Sequence, residues 1–406
     1  MYYGRAKAHN GEPSPNWDRE PAMNAPHRAA MSETGDPLLL TPGPLTTSRA
    51  IKEAMVHDWG SRDAAFIRIN REVRERVTEI AGAKGGHVTV PIQGSGTFAV
   101  EAMIATFVPP AGKVLVLANG AYGKRAARIC AAHKRAHTIL ETPEDTPPAP
   151  AAVEAMLRAD PAITHVFVVH CETTSGVLNP VAAIARVVQA ERRRLLVDAM
   201  SAFGAIPLDA GAVPYDALAA SSNKCLEGVP GVAFIVCRVE ALAQTKGNCA
   251  SLVLDLHDQW TAMEGNGQWR FTPPIHVIVA LHKAIEEFLA EGGVAGRGRR
   301  YADNCRILIE GLRALGFKTL LPDHLQAPII VTVHMPADPK FDFPLFYERL
   351  KERGYVIYPG KLTVADSFRI GCIGRLRAEH MRGVLAAIRD SLSEMGVRRC
   401  EPAQAA

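Results

Sequence analysis

The chain has 406 residues, enough for two domains or for one large and one small, and its 48% hydrophobic and 22% charged residues are those of an ordinary soluble protein with a sizeable core. The formal charge of +4 is spread along the chain, which argues against a nucleic-acid surface; the densest basic run, Arg192-Arg193-Arg194, precedes a buried-looking strand and reads as a solvated helix end. No apolar run approaches the length of a membrane span, and the eight cysteines show neither a Cys-x-x-Cys pair nor regular spacing, so free thiols in a reducing cytoplasm are expected.

Residues 1–36 are rich in Pro, Asn, Ala and charge and carry no periodic apolar pattern, so they are expected to be disordered or loosely docked, and they are too polar for a signal peptide. Leu38-Leu39-Leu40-Thr41-Pro42-Gly43-Pro44 opens the ordered chain, in an arm of residues 37–62. Two prolines around a glycine fix a rigid, non-helical turn. It is either a plain entry turn or a backbone wall of a substrate pocket, and Pro42 and Gly43 are candidates for substrate contact. A helix follows from about Ser48, as its cap, to His57, and an amphipathic helix from about Ala64 to Ala81.

A strand from His87 to Gln93 runs into Gly94-Ser95-Gly96-Thr97 and a helix from Phe98 to Phe107. Strand, glycine turn and helix start make an anion site, because free N–H groups and the helix dipole face the turn. No Gly-Lys-Ser/Thr ends this turn and no third glycine follows, which argues against a nucleotide loop. Lys113 to Asn119 is a buried strand. Tyr122, just beyond it, is either packing or an aromatic face for a planar ring. The strand Val166–His170 leads into Cys171-Glu172-Thr173-Thr174-Ser175-Gly176, where hydroxyls are available. His165 and His170 have no metal-ligand spacing around them and read as structural; no metal site is expected.

The centre of the chain is residues 195–237. Leu195-Leu196-Val197 ends in Asp198; Ala217-Leu218-Ala219-Ala220 ends in Ser221-Ser222-Asn223-Lys224; a Gly/Pro turn leads to a third strand, Val232–Cys237. Ligands of open α/β sheets sit at the carboxyl ends of strands, so a carboxylate and an amine at two such ends face one crevice. A partly desolvated lysine forms a Schiff base with an aldehyde. Pyridoxal phosphate supplies such an aldehyde, and a carboxylate keeps its ring nitrogen protonated. Alone, Asp198 reads more readily as a cap or turn residue and Lys224 as a solvated side chain. Cys171 and Cys225, beside these segments, read as packing thiols.

Alternating strands and helices up to about residue 240 predict an α/β fold with a mostly parallel sheet. A polar, Trp-containing stretch, residues 260–274, precedes a helix from about Ile275 to Glu291, and Gly292-Gly293 marks a boundary. The large domain is thus residues 37–291 and a smaller α+β domain spans 292–398, with strands near Ile329–His334, Tyr355–Tyr358 and Phe368–Ile373; residues 399–406 read as a frayed tail. Arg369 lies inside an apolar strand. It demands a buried anion, either a structural carboxylate or a substrate.

These pieces together resemble the class V, fold-type I pyridoxal-phosphate aminotransferases over residues 38–396. The markers run in order: LLLTPGPL, GSGTFAVEA, NGAYGKR, HCETTSGVLNP, VDAMSAFG, SSNKCLEGVPG, WRFTPP and FRIGCIG. LLLTPGPLTTS, VDAMSAFGAIP and SSNKCLEGVPGVAF are more similar to the branch acting on 2-aminoethylphosphonate and pyruvate than to the alanine–glyoxylate or serine–pyruvate branches, which remain the alternative. The resemblance implies a seven-stranded-type sheet and pyridoxal 5'-phosphate as cofactor. It makes Lys224 the catalytic, cofactor-bearing lysine and Asp198 the partner of the ring nitrogen. It places the cofactor phosphate on Ser95, Gly96 and Thr97, Tyr122 against the ring, Thr173 at its phenolic oxygen and Asn223 beside Lys224. Arg369 would bind the substrate's acidic group. Thr272 would reach the cofactor of a neighbouring subunit, which implies a homodimer with shared sites. A doubly charged substrate head calls for a second donor, for which Arg270 and the backbone at 41–43 are candidates. A desulfurase of the same fold would need a mobile cysteine, and Cys372 lies in a strand-like run.

Overall fold

The computed structural model describes residues 29–83, 85–362 and 365–403; the expectation for residues 1–28 lies outside them. Its main feature is a seven-stranded sheet, in the order His87–Gly94, Gly231–Arg238, Ala217–Ser221, Arg194–Asp198, Ile163–Val169, Lys113–Ala118, Ala136–Glu141. Every pairing is parallel except those of Gly231–Arg238, which is antiparallel to both neighbours. Six strands therefore point their carboxyl ends to one edge. The expected strands and helices recur within a few residues of their expected bounds.

The alternation of side chains across a strand explains why these strands are apolar throughout. Leu195, Val197, Val166, Val168, Leu218 and Phe234 face one layer of helices. Leu196, Phe167, Val169, Ala219 and Ile235 face the other. Each fully buried large side chain contributes roughly 1.5–3 kcal/mol, so neither face tolerates a charge.

A three-stranded antiparallel sheet, Ile330–His334, Ser367–Gly371 and Tyr358–Pro359, forms a second core with the helices Gly293–Ala314 and Ala378–Met395. Gly292, in the left-handed region at φ +99°, precedes the first of these helices. The arm runs between the two sheets: Leu38 and Leu39 pair with Tyr355 and Val356, and the Gly371 N–H donates to the Leu40 carbonyl. Ser48 caps the short helix Arg49–Glu53 through the Ile51 N–H, which stops several residues before His57. Residues 29–36 lie against the body, with the Ala30 N–H on the Arg353 carbonyl. The tail differs from the expected fraying, because Cys400 is buried in the second core and the Ala337 N–H donates to the Glu401 carbonyl. No helix among the described residues is long and apolar enough to cross a membrane.

Candidate active site

The strand edge brings part of the expected set together, while Pro42, Thr173, Arg369 and Thr272 are not among the walls of the same cavity. A cavity of about 230 Å³ is lined by Gly43, Ser95, Gly96, Thr97, Tyr122, Arg125, Asp198, Ser221, Asn223 and Lys224, among others. Each lining residue except Gly43 and Pro230 ends or follows a strand or sits in the helix beyond it, as the parallel topology requires.

Asp198 ends its strand as a buried carboxylate. Its Oδ1 accepts the Met200 N–H at 2.9 Å, and its carbonyl accepts the His170 N–H at 2.8 Å. Burial pushes its pKa up to about 6, against the Met200 N–H and the positive charges of Arg125 and Lys224.

Lys224 sits in the turn after Ala217–Ser221. The turn is closed by the Gly228 N–H on the Ser222 carbonyl and the Glu227 N–H on the Lys224 carbonyl, both at 2.8 Å. The Lys224 stem is partly exposed to the cavity, while its amine is enclosed and donates to the Pro42 carbonyl at 2.5 Å. Gly43 makes that approach possible, since a Cβ there would lie 2.5 Å from Nζ. Asn223 Oδ1 accepts the Ser221 hydroxyl at 3.0 Å.

Burial lowers the Lys224 pKa from 10.5 to about 8, with Cys225 and Asp198 opposing and Arg369 and Lys361 assisting. Between those two values the unfolded chain holds more protons than the folded one, so this group's contribution to stability rises with pH. Below about pH 8 its cost is complete, on the order of 3 kcal/mol. In cofactor-free protein, Lys224→Met is therefore expected to be more stable than wild type near pH 7, and the gap should close towards pH 10.5. Urea titrations across that range read this directly; a gap independent of pH would mean that the amine is not depressed.

The 12-residue helix Gly96–Phe107 begins at the cavity, and Ser95, its cap residue, makes no side-chain capping bond. Its first N–H groups and its dipole are left facing the cavity. Arg125 adds a cation there, donating to Thr97 Oγ1 at 3.0 Å with its guanidinium 4.9 Å from the Tyr122 ring centre. Arg125 was not among the sequence candidates. Its signal was its place one helical turn beyond Tyr122 on the helix Ala121–Ala132.

Glu172 was also missed. It is fully buried and accepts the Tyr122 N–H at 3.1 Å and the Thr174 hydroxyl at 2.6 Å, so it holds the start of the Tyr122 helix. Burial raises its pKa.

Arg369 is 2% exposed. Its Nη1 donates to the Thr173 carbonyl at 2.7 Å and its Nε to the Pro359 carbonyl at 3.0 Å. No carboxylate among the described residues lies within ion-pair distance, so the structural salt bridge offered by the sequence is not found among them. Thr173 is buried beside it and is not a wall of the cavity itself.

Thr272 is not brought to the cavity of its own chain. It lies in a separate hollow of about 500 Å³ with Gly94, Phe98, Val253 and Phe271. Arg270 lies beside it, 3.6 Å from Asp258 and stacked on Phe271. Cys225 is buried, its thiol pushed up to about 12 by desolvation, and Cys171 and Cys372 are raised in the same way, so these thiols pack rather than react.

The arrangement combines an amine poised near neutrality, a buried carboxylate, a helix start open to an anion and a buried guanidinium with no carboxylate beside it among the described residues. Comparison with known proteins agrees with this chemistry. Residues 47–357 match the family model described as aminotransferase class-V. The chain is 55% identical to the 2-aminoethylphosphonate–pyruvate transaminase of Pseudomonas aeruginosa over 89% of this chain and 97% of that one. It is 53% identical to the protein of the same name from Cupriavidus taiwanensis over 90% and 97%. Among solved structures it is similar to pyridoxamine–pyruvate aminotransferase of Mesorhizobium loti, with a TM-score of 0.81 and 26% identity over 90% of this chain and 94% of that one. It also shares the fold of an alanine–glyoxylate aminotransferase from Nostoc sp., with a TM-score of 0.82 and 23% identity over 92% and 97%. The chain belongs to the class V aminotransferases of fold type I, a family whose cofactor is pyridoxal 5'-phosphate.

Proposed function

We propose that this enzyme transfers the amino group of 2-aminoethylphosphonate to pyruvate, giving phosphonoacetaldehyde and L-alanine. The observation that carries the reading is Arg369, a buried cation that donates to two neutral carbonyls, lies over the Tyr358 ring and has no carboxylate within ion-pair distance among the described residues. Such a group is stable in a working enzyme when a substrate anion completes its shell. The names and near-complete coverage of the curated relatives point the same way.

The cavity's residues fit pyridoxal phosphate. The open helix start at Ser95, Gly96 and Thr97, with Arg125, suits the phosphate. Asp198 suits the ring nitrogen, Tyr122 offers its face, and Asn223 supplies a polar group at the wall. When bound, the cofactor supplies an aldehyde that exchanges amines and a protonated ring that draws electrons from the amine-bearing carbon. Lys224 is the nucleophile that attaches it, and its lowered pKa makes the neutral amine available. The same amine then takes the proton from the amine-bearing carbon and returns it. Asp198, held by the Met200 N–H, keeps a negative charge opposite the ring nitrogen. Arg369 fixes the acidic end of the amino donor and afterwards that of pyruvate.

The large domain of residues 37–291, the small one of 292–398 and a homodimer with shared sites belong to this reading. The exposed Phe98, Val253 and Phe271 around Thr272 support a subunit interface there. A cytoplasmic location accords with eight unpaired cysteines.

The test is the absorbance spectrum of the purified holoenzyme before and after 2-aminoethylphosphonate, with no keto acid present. The visible band should bleach as the amino group is transferred. A band that ignores this amine and bleaches with L-alanine or L-serine would transfer the substrate reading to the alanine–glyoxylate or serine–pyruvate branch. Sedimentation of the same sample checks the assembly: a monomer at full occupancy would remove the shared site.

A further inference from the structure

A phosphonate carries close to two negative charges and a carboxylate one. Arg369 alone matches the second kind of ligand better than the first. The two sequence candidates for an additional donor are both engaged. Arg270 lies 3.6 Å from Asp258 and over the Phe271 ring. The Gly43 N–H donates to Thr41 Oγ1 at 3.2 Å, and Pro42 has no N–H to give.

The structure supplies another cation. Lys361 Nζ lies 4.4 Å from the centre of the Tyr122 ring, which lines the cavity. No carboxylate among the described residues lies within ion-pair distance of it. Glu172, the acid felt by both Lys361 and Arg369, is already committed to the Tyr122 and Thr174 N–H groups and the Thr174 hydroxyl. Burial and the charges of Arg125 and Arg369 all press the Lys361 amine towards neutrality, as expected for cations gathered without a counter-ion.

Its position is built in by the strand that clamps Arg369. Tyr358 pairs with Arg369 across the small sheet, and the Pro359 carbonyl accepts from Arg369 Nε. Gly360 then turns tightly, since a Cβ there would lie 2.0 Å from the Ser367 carbonyl oxygen. The next residue is Lys361, delivered to the same end of the sheet as the guanidinium.

We infer that Lys361 is the second cation for the dianionic head of the amino donor and so determines the preference for a phosphonate over a carboxylate. This rests on the proposed transamination of 2-aminoethylphosphonate. Arg369 holds either acid; Lys361 adds its charge and hydrogen bond for the phosphonate's extra oxygen and extra charge.

The experiment uses holoenzyme and two inert ligands, ethylphosphonate and propionate, which share a carbon skeleton and differ in the acid. Calorimetry should show Lys361→Met weakening ethylphosphonate about 10- to 100-fold, the worth of one charge-assisted bond. Propionate should weaken by at most about a tenth as much, and Lys361→Arg should recover most of the loss. In half-reactions, KM for 2-aminoethylphosphonate should rise by a similar factor while the rate at saturation changes little. Equal losses for both acids, or none for either, would overturn the assignment of Lys361. A wild-type enzyme that does not react with 2-aminoethylphosphonate but does react with L-alanine would defeat the proposed substrate, and this inference with it.

Discussion

Replacing Lys224 by alanine is expected to lower turnover at least about 10⁴-fold, the upper end of a lone acid–base role, because in the proposed mechanism one side chain would both attach the cofactor and move the proton. The visible absorbance of the holoenzyme should disappear with it. Two features make this more than the loss of a contact. The amine is enclosed and brought down to about pH 8, so it is a nucleophile at working pH. It is also the group that Gly43 and the Pro42 carbonyl make room for and orient, at 2.5 Å. Among the described residues lining the cavity there is no second amine: Asn223 and Ser221 are neutral and Arg125 is a guanidinium, while Cys225 is buried against the Ser201 carbonyl. The variant should remain folded, because the turn is held by backbone bonds from Glu227 and Gly228. Circular dichroism checks the fold and single-turnover absorbance checks the chemistry. Wild-type rates in Lys224→Ala would sink the mechanism.

Replacing Arg369 by alanine should cost about 10²- to 10³-fold in kcat/KM for 2-aminoethylphosphonate and for L-alanine alike. A bidentate, charge-assisted pair is worth about 3–4 kcal/mol, and here it is formed in a nearly dry shell. The two carbonyls left behind, on Thr173 and Pro359, also lose a donor, at about 1–3 kcal/mol each. Part of the damage will therefore appear as a lower melting temperature. Arg369→Lys separates the two effects: it keeps a charge, loses the planar fork, and should fall between wild type and Arg369→Ala in kcat/KM. An unchanged kcat/KM in either variant would remove Arg369 from the substrate site.

Much of this architecture was legible because parallel strands buried on both faces are continuous apolar runs with polar residues at one end. Leu195-Leu196-Val197-Asp198 and Ala217-Leu218-Ala219-Ala220 announce both a strand and the functional group that follows it. The reversed direction of Gly231–Arg238 was readable too, since only nine residues join it to Ala217–Ser221, too few for a parallel crossover. The cations were harder. Arg369 stood out as a charge inside an apolar strand, but Arg125 comes from a helix far earlier in the chain than Lys361, and nothing local marks Lys361 as different from a surface lysine. Glu172 was hidden for another reason. A carboxylate that caps a distant helix start leaves no spacing rule behind, and only the bond to the Tyr122 N–H shows its purpose. Thr272 is the reverse case, a residue whose resemblance-based role needs a second subunit and so has no partner within one chain.

Arg369 sits on the three-stranded sheet yet donates to Thr173, in the loop that leaves the seven-stranded one. The side chain proposed to read the substrate's acid is thus also a fastener between the two sheets. For anyone redesigning donor preference, this ranks the positions. Diversity at 369 would scramble the relative placement of the sheets before it altered selectivity. Diversity at the side chains of Tyr358, which lies under the guanidinium, and of Lys361, which meets the Tyr122 ring, would change what the pocket accepts while the hydrogen bonds that fasten the sheets stay in place.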